Sequence, residues 1–305
     1  MSADEKKPED DPLKSSRDDP LESSRMSLGA HLDELRKRLL RATVGLFVTF
    51  FACWIFHQPI AEIVLEPLER TVNWLNEDLA ELYERRLLED PELNRDSYFR
   101  EVDGESVLVD PIPLQPRADA ASSGFFFYLK ICFYFAIFIA GPFVLWELWQ
   151  FIAAGLYKKE KRVIHRVFPL SALLFFTGVL FGYFMMLPYG YYFLFGYGLE
   201  QTRPDPKLEE YLSFVTTLTL ALGVIFQLPL LMMVLSRVGL VEPKSYSKHR
   251  GMFWVGSLVL AAILTPPDPF TQLMMAIPMA VLYEVGHLFA RLAHRKSLAA
   301  DLDTT

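Results

Sequence analysis

Cysteine is scarce in this sequence of 305 residues, which contains only Cys53 and Cys132. Both lie inside apolar runs, so we expect small buried hydrophobic residues and neither a disulfide framework nor a zinc site. The sequence also lacks a G-x-S-x-G elbow, an H-E-x-x-H helix, a Walker loop and a G-x-G-x-x-G turn, which mark common hydrolases, metalloproteases and nucleotide-binding proteins. Its six histidines are scattered. We therefore predict that the protein is not an enzyme and binds no cofactor or metal.

The N-terminal segment lacks the apolar core that a secretory signal peptide requires. Residues 1–24 carry eight acidic and four basic side chains among several prolines and serines. A segment of this composition cannot bury enough apolar surface to fold. The sequence therefore predicts a disordered acidic cytoplasmic tail over residues 1–25, and the first apolar run is expected to serve as an uncleaved membrane anchor.

Long apolar stretches without formal charge are the main feature of what remains. Hydrophobic residues make up 52% of the sequence, aromatic residues make up 14%, and the mean hydropathy is +0.22. A helix needs about 20 mainly apolar residues to span a bilayer. The runs that meet or approach this length are 42–61, 124–146 (interrupted only by Lys130), 167–199, 211–236, 251–267 and 269–283. We therefore predict an all-α integral membrane protein with six transmembrane helices, the last two short and joined by a proline-rich turn.

Lysine and arginine concentrate at one end of the predicted helices. Seventeen of the 30 basic side chains lie in four clusters, at 25–41, 158–166, 237–250 and 291–296. Alternating spans place all four clusters on the same side, and short basic loops stay in the cytoplasm. Both termini are therefore predicted to be cytoplasmic, with residues 297–305 as a short cytoplasmic tail.

The connection on the opposite side, residues 62–122, is long and acidic, with sixteen acidic and six basic side chains. Near its start, apolar residues recur at spacings of four and three, which predicts one amphipathic helix. The stripe consists of Leu68, Val72, Leu75, Leu79 and Leu82. We favour packing of this stripe against the protein's own outer surface over docking of another chain, because such stripes are ordinary for surface helices. The rest of the loop contains four prolines and is expected to be irregular.

Three motifs follow one another at the ends of the predicted spans. The sequence reads HLDELRKR at 31–38, FIAAGLYKKEKR at 151–162 and TPPDPFTQ at 265–272. In this order, on a topology of six spans, they resemble the TatC family, the core membrane subunits of the twin-arginine protein translocase. The resemblance covers nearly all of residues 26–296, which we take as one membrane domain. It implies a concave, glove-like bundle in the bacterial cytoplasmic membrane.

The resemblance also implies a function. Proteins of this family are receptors that bind the twin-arginine signal peptides of folded cargo, for export driven by the proton-motive force. The partners that it implies are TatA-like and TatB-like single-span proteins and further copies of the chain within a larger complex. It implies no nucleic acid.

Two carboxylates at the basic end match the signal-peptide-binding positions of the family, Glu34 and Glu160. A motif of two arginines calls for two carboxylates, because a guanidinium pairs with a carboxylate in a bidentate fork. Phe151 matches an aromatic residue beside this site, and Arg36 and Arg38 match the start motif. Simpler roles stay open: a helix salt bridge from Glu34 to Arg38, charge dilution at Glu160, and anchoring in the membrane interface for the other three.

A second group of residues is expected to contact partners or to support the fold. They are Pro67, Gln227, Asp268, Gln272 and Glu284. Gln227 stands where the family often has a glutamate, so that position carries no charge here. Its amide either bonds a freed carbonyl or a neighbouring helix, or faces a partner on the concave side; we favour the second. Two further departures are the absence of the usual proline at Ala154-Gly155 and the long outer loop.

Two other kinds of membrane protein compete with this interpretation. A small secondary transporter or channel usually shows paired repeats and ionisable groups at the bilayer midplane. An intramembrane enzyme needs a polar cluster at membrane depth. The sequence shows neither feature, so a translocase subunit is the favoured interpretation.

Overall fold

The computed structural model describes residues 28–102, 104–118, 120, 122–155, 158–199 and 204–302, with side chains for all of these except 28, 30, 158–163 and 296–302. The tail predicted over residues 1–25 lies outside this range. The elements in chain order are α1 (Leu28–Ile55), α2 (His57–Glu89), a 3₁₀ turn (Arg95–Ser97), β1 (Phe99–Val102), β2 (Glu105–Leu108), α3 (Ser123–Ala154), α4 (Lys158–Phe181), a π-helical turn (Gly182–Met186), α5 (Leu187–Gly196), α6 (Leu208–Ile225), α7 (Leu228–Arg237), α8 (Pro243–Leu264) and α9 (Pro269–Leu302).

The helices form six membrane spans, as predicted. Among the residues that the structure describes, five stretches are long and apolar enough to cross a bilayer: His31–Ile55, Ser123–Ala154, Ile164–Gly196, Leu208–Arg237 and Pro269–Arg295. The sixth span is α8, whose apolar part is limited to its second half, because Lys244, Lys248 and Arg250 occupy the first half. The third span combines α4, the π-helical turn and α5, and the fourth combines α6 and α7.

The last helix is longer than the sequence predicted. The charge-free run ended at Tyr283, but α9 has 34 residues and continues through Glu284 to Leu302. The prediction failed because Glu284 is paired with Arg250 of α8, with Nη2 of the arginine 2.7 Å from Oε1. A charge that is neutralised by a neighbouring helix does not end a span. The tail predicted at 297–305 is therefore helical as far as Leu302.

Close approach of α4 to α6 holds the centre of the bundle together. A Cβ atom added to Gly178 would lie 2.6 Å from the backbone oxygen of Leu222, and one added to Gly182 would lie 3.0 Å from the Leu222 side chain. Only glycine at these positions lets the two backbones come so near. The spacing Gly178-x-x-x-Gly182 is therefore a packing motif.

The apolar stripe of α2 is buried against the chain itself, which confirms the favoured interpretation. Leu68, Val72 and Leu75 are fully buried, and Leu79 is 1% exposed. They share one core cluster with residues of α5 and α6, among them Tyr191 and Tyr211. Burial of four such side chains is worth about 1.5–3 kcal/mol each. The helix thus belongs to the body of the protein at the end opposite the basic clusters.

Two expectations for the connection 62–122 were wrong. The first span ends at Ile55 and α2 begins at His57, so the chain turns at Phe56 and not after residue 61. The region after α2 is not irregular, because β1 and β2 form an antiparallel hairpin in which Phe99 pairs with Leu108. Both of these side chains are buried in the same core cluster as the α2 stripe.

We call the two ends of the bundle the basic end and the acidic end. The basic end comprises the first turns of α1, the connections α3–α4 and α7–α8, and the last turns of α9. The acidic end comprises α2, the hairpin, and the connections α5–α6 and α8–α9.

Candidate functional site

Three charged side chains meet at the basic end between α1 and α3. Arg38 Nε donates to Glu34 Oε1 at 2.6 Å, and Arg38 Nη1 donates to Glu147 Oε2 at 3.0 Å. Glu34 and Arg38 face the same side because they are four residues apart on α1. The side chain of Glu147 is 7% exposed, whereas those of Glu34 and Arg38 are 19% and 20% exposed. One arginine thus joins a buried carboxylate to a partly exposed one, and the three side chains carry a formal charge of −1.

An aromatic surface lies next to this cluster, one turn towards the start of α1. The ring of His31 stacks on the ring of Phe151 at the end of α3, with centroids 4.5 Å apart and planes at 27°. Gly155, which follows α3, lies against this stack, since a Cβ atom there would be in ordinary contact with His31 Cε1 at 3.6 Å. The absence of the family proline at Ala154-Gly155 does not prevent α3 from ending here.

Gln227 lies in the break between α6 and α7 and is bonded to α4. Its Nε2 donates to the backbone oxygen of Ser171 at 3.0 Å, and its Oε1 accepts from Ser171 Oγ at 2.5 Å. The same hydroxyl accepts from Trp149 Nε1 of α3 at 2.8 Å. Both ends of the amide are therefore used inside the bundle, as the simpler interpretation of this residue requires.

Gln227 also lines a cavity that opens between the helices. The cavity has a volume of about 570 Å³, and apolar side chains of α3, α4, α6 and α7 form most of its wall. The side chain is only half-buried, so the amide is a polar group on the surface of an apolar groove.

Residues of the motif at 265–272 fix the turn between α8 and α9. Asp268 caps α9: its Oδ1 accepts from the backbone nitrogen of Thr271 at 2.7 Å, and its Oδ2 accepts from the Thr271 hydroxyl. Gln272 Nε2 donates to the backbone oxygen of Leu258 on α8 at 3.0 Å. A cap of this kind is worth about 1 kcal/mol. These two residues therefore have structural roles at the acidic end.

Pro67 lies inside α2 and is buried. The carbonyl of Pro67 accepts from Thr71 Oγ1 at 2.8 Å, and the same hydroxyl also points to the carbonyl of Pro188 at 3.3 Å. This pair of contacts ties α2 to α5. Within the part of the chain that the structure describes, no three His, Cys, Asp or Glu residues are grouped so that they could hold a metal ion.

Comparison with known proteins gives one consistent answer. Residues 30–278 match the family described as TatC, Sec-independent protein translocase protein. The chain belongs to the TatC family. Relatives named "Sec-independent protein translocase protein TatC" include one from Desulforapulum autotrophicum, 32% identical over 87% of this chain and 84% of its own length, and one from Escherichia coli K12, 31% identical over 86% of each.

A solved structure shows the same fold. The crystal structure of a "Twin Arginine Translocase Receptor-TatC" is similar with a TM-score of 0.65 and 29% identity, over 86% of this chain and 99% of that one. The six-span count and the glove-like shape predicted from the sequence fit this TatC structure. The protein is therefore a multi-pass membrane subunit of a twin-arginine translocase, as the sequence resemblance implied.

The TatC-like site residues predicted from the sequence are only partly brought together. Glu34 and Arg38 are in contact, and Phe151 lies beside them in the His31 stack. Arg36 is exposed on α1 and contributes to the positive surface around the cluster. Glu160 belongs to α4, but its side chain is not among those that the structure describes. The structure therefore gives no distance between Glu34 and Glu160. The predicted pairing of Glu34 and Glu160 therefore stays a prediction.

Sequence reasoning did not include Glu147 in the site. A signal was present, because Glu147 is the only acidic residue of α3, in the apolar context Leu145-Trp-Glu-Leu-Trp149. Membrane helices rarely hold a carboxylate without a partner. Arg38, one of the few bases on the facing helix, was the available partner.

Proposed function

We propose that the protein is the receptor subunit that binds twin-arginine signal peptides at the basic end of the bundle. In this proposal both termini are cytoplasmic and the membrane is the bacterial cytoplasmic membrane. The seventeen basic side chains in the clusters at one end support this orientation, because positively charged loops are retained in the cytoplasm. Export of folded cargo then draws on the proton-motive force and not on a nucleotide.

The single observation that carries the proposal is the arrangement of Glu34, Arg38 and Glu147. Arg38 shows how a guanidinium pairs with Glu34, at 2.6 Å. When an arginine of the peptide approaches Glu34, Arg38 keeps its second carboxylate, Glu147, and no buried charge is left alone. The formal charge of −1 on the three side chains changes to zero when one arginine binds. A buried charge that keeps a partner avoids the several kcal/mol that an unpaired one costs.

The second arginine of the peptide is assigned to Glu160, which follows Phe151 across the α3–α4 connection. The ring of Phe151, stacked on His31, offers a flat apolar surface beside Glu34 for the residues that follow the arginine pair. The positive charges of Arg36 and Arg38 repel the basic side chains of the peptide everywhere except next to Glu34 and Glu160. This division of roles gives specificity through repulsion as well as attraction.

The other predicted residues belong to contacts with partners in the same proposal. TatA-like and TatB-like proteins each bring a single span, and further copies of this chain complete the complex. Gln227, on the wall of the cavity between α3, α4, α6 and α7, is the polar group that such a span meets within the membrane. It already has a partner inside the chain, so the partner helix joins existing hydrogen bonds. Glu284 takes a structural role, because it pairs with Arg250 of α8. Asp268, Gln272 and Pro67 also support the fold, at the acidic end.

Photocrosslinking tests the proposed receptor site. A twin-arginine signal peptide carrying a photoreactive residue next to the arginine pair is added to membranes that contain the protein. We expect crosslinks to the wild type and a strong loss in the double variant Glu34→Ala, Glu160→Ala. A matched control is Asp33→Asn, because Asp33 is an exposed acid on the same helix. Unchanged crosslinking of the double variant would remove the basis of the proposal.

A further inference from the structure

A basic pocket lies where the first turn of α8 meets the last turns of α9. Its volume is about 500 Å³, and it is lined by Glu242, Pro243, Lys244, Arg291, His294 and Arg295. Lys244, Arg291, Arg295 and the carboxylate of Glu242 give a formal charge of +2 with the histidine neutral. None of the lining residues of the pocket belongs to α1 or α3, and the pocket plays no part in the proposed signal-peptide site.

The pocket lies at the edge of the membrane. Residues 269–290 of α9 carry one formal charge, that of Glu284, and the first basic side chains after them, Arg291 and Arg295, line the pocket. Basic side chains that follow an apolar span lie at the membrane interface. Arg291 is held in place, because its Nη2 donates to Ser247 Oγ of α8 at 3.1 Å, and Ser247 is in turn 2.9 Å from His287 Nε2. A cation fixed at this depth faces the level at which phospholipid headgroups lie.

An apolar groove follows the pocket along the same pair of helices, and the two share no lining residue. It lies between α8 and α9, has a volume of about 640 Å³, and its largest apolar lining residues are Trp254, Leu258, Leu273, Ile277, Val281 and Leu288. On α9, residues of the groove and of the pocket recur at spacings of three and four, so they share one face of the helix. This series runs Leu273, Ile277, Ala280, Glu284, Leu288, Arg291 and Arg295.

We propose that this face binds an anionic phospholipid, with its phosphate in the basic pocket and an acyl chain along the groove. The charge of the pocket selects the anionic headgroup, because basic pockets between membrane helices attract such lipids. The exposed apolar groove below it favours a lipid over a soluble phosphate compound. Glu242 is the one acidic residue that lines the pocket, and the groove is lined by one acidic residue, Glu284, which is paired with Arg250. Leu288 at 54% exposure and Trp254 at 49% provide the surface for the chain.

Native mass spectrometry of the full-length protein tests the proposal. The protein in detergent is equilibrated with equal amounts of dioleoyl phosphatidylglycerol and dioleoyl phosphatidylcholine, and bound lipid is read as a mass adduct. The pocket variant is Lys244→Gln, Arg291→Gln, Arg295→Gln. The control variant, Lys37→Gln, Arg41→Gln, Arg237→Gln, removes the same charge from exposed positions at the same end. We expect the wild type and the control to bind phosphatidylglycerol in preference to phosphatidylcholine. In the pocket variant the ratio of the two adducts should fall by at least about tenfold.

A second variant protects the test against misfolding of the triple variant. Glu242→Gln removes the opposing carboxylate, so we expect it to raise the retention of phosphatidylglycerol. Equal loss in the pocket and control variants, equal retention of the two lipids by the wild type, or no gain in Glu242→Gln would overturn the proposal. Displacement of the lipid by glycerol 3-phosphate at a concentration similar to that of the lipid would also overturn it. So would an adduct with the mass of a second copy of the chain in place of a lipid adduct.

Discussion

Arg38 on α1 and Glu147 on α3 are joined by a hydrogen bond of 3.0 Å between Nη1 and Oε2, across 109 positions of sequence. The bond fixes the start of the first span against the end of the second. Arg38 has two carboxylate partners, so removal of Glu147 leaves it with Glu34 alone. We therefore expect the role of Glu147 to be separable from that of Glu34: the first holds the site together and the second receives the peptide.

For Glu147→Ala we expect the free energy of unfolding in detergent micelles to fall by about 2 kcal/mol, the scale of a hydrogen bond to a charged group. The matched control is Asp205→Ala, which breaks the pair with Arg117 in the connections at the acidic end, where the two side chains are 64% and 49% exposed. Exposed pairs contribute about 0–1 kcal/mol. Thermal unfolding of both variants measures the difference. Equal effects would show that burial of Glu147 does not set the strength of its pair with Arg38.

The α2 stripe gives a prediction for the acidic end. Leu75 is fully buried in the cluster that joins α2 to α5 and α6. For Leu75→Ala we expect a loss of about 2–5 kcal/mol in the free energy of unfolding. Leu88 on the same helix is 84% exposed, and Leu88→Ala should change stability little. A small effect at Leu75 would contradict the role of α2 as part of the folded body.

The packing of α4 on α6 predicts opposite effects of the same substitution at two glycines. For Gly178→Ala we expect destabilisation, because the new Cβ atom would lie 2.6 Å from the backbone oxygen of Leu222. Gly256 in α8 has no atom within 4 Å of such a Cβ, so Gly256→Ala should be neutral or stabilise by up to about 1 kcal/mol. Thermal unfolding distinguishes the two. Gly178→Ala as stable as the wild type would show that the helices are not in close contact.

Gln227 is tested by coupling to its partner on α4. Gln227→Leu removes both hydrogen bonds to Ser171, and we expect a loss of about 1 kcal/mol. Ser171→Ala removes the bond from Ser171 Oγ to Gln227 Oε1 and the bond from Trp149, but not the bond to the backbone oxygen. The double variant should therefore be less destabilised than the sum of the two single variants by the energy of the one side-chain bond that both remove. Additive effects would mean that the amide and the hydroxyl do not act as a pair. Crosslinks from position 227 to a single-span partner then test separately whether such a partner lies in the cavity that Gln227 lines.

The spans were predictable because their signal lies in composition, and so was the α2 stripe, whose spacing alone specifies a buried face. The hairpin was missed although Asp103-Gly104 is a strong turn signal between two short strands. Each strand has only four residues, which is too short for an alternation of apolar and polar side chains to confirm the turn signal. The length of α9 was missed because a single charge was treated as a boundary, and its partner Arg250 is 34 residues away.

Less of the site was predictable. Glu34 and Arg38 are four residues apart on one helix, so their contact follows from helix geometry. The contact of Arg38 with Glu147 depends on how α1 packs against α3, which no local pattern encodes. The two bonds from Gln227 to Ser171 depend in the same way on the packing of α4 beside the α6–α7 break. Polar contacts between helices far apart in sequence are thus the part that sequence reasoning could not supply.

Signal-peptide affinity tests the central proposal most directly. The purified full-length protein in lipid nanodiscs is titrated with a fluorescent signal peptide that carries Arg-Arg, and with the same peptide carrying Lys-Lys. Since lysine cannot form the bidentate fork, we expect at least about a tenfold preference for Arg-Arg in the wild type. The preference should persist in the control Asp33→Asn, Glu242→Gln and disappear in Glu34→Gln, Glu160→Gln. Equal affinities for the two peptides in the wild type, or an unchanged preference in Glu34→Gln, Glu160→Gln, would contradict the receptor site at the basic end.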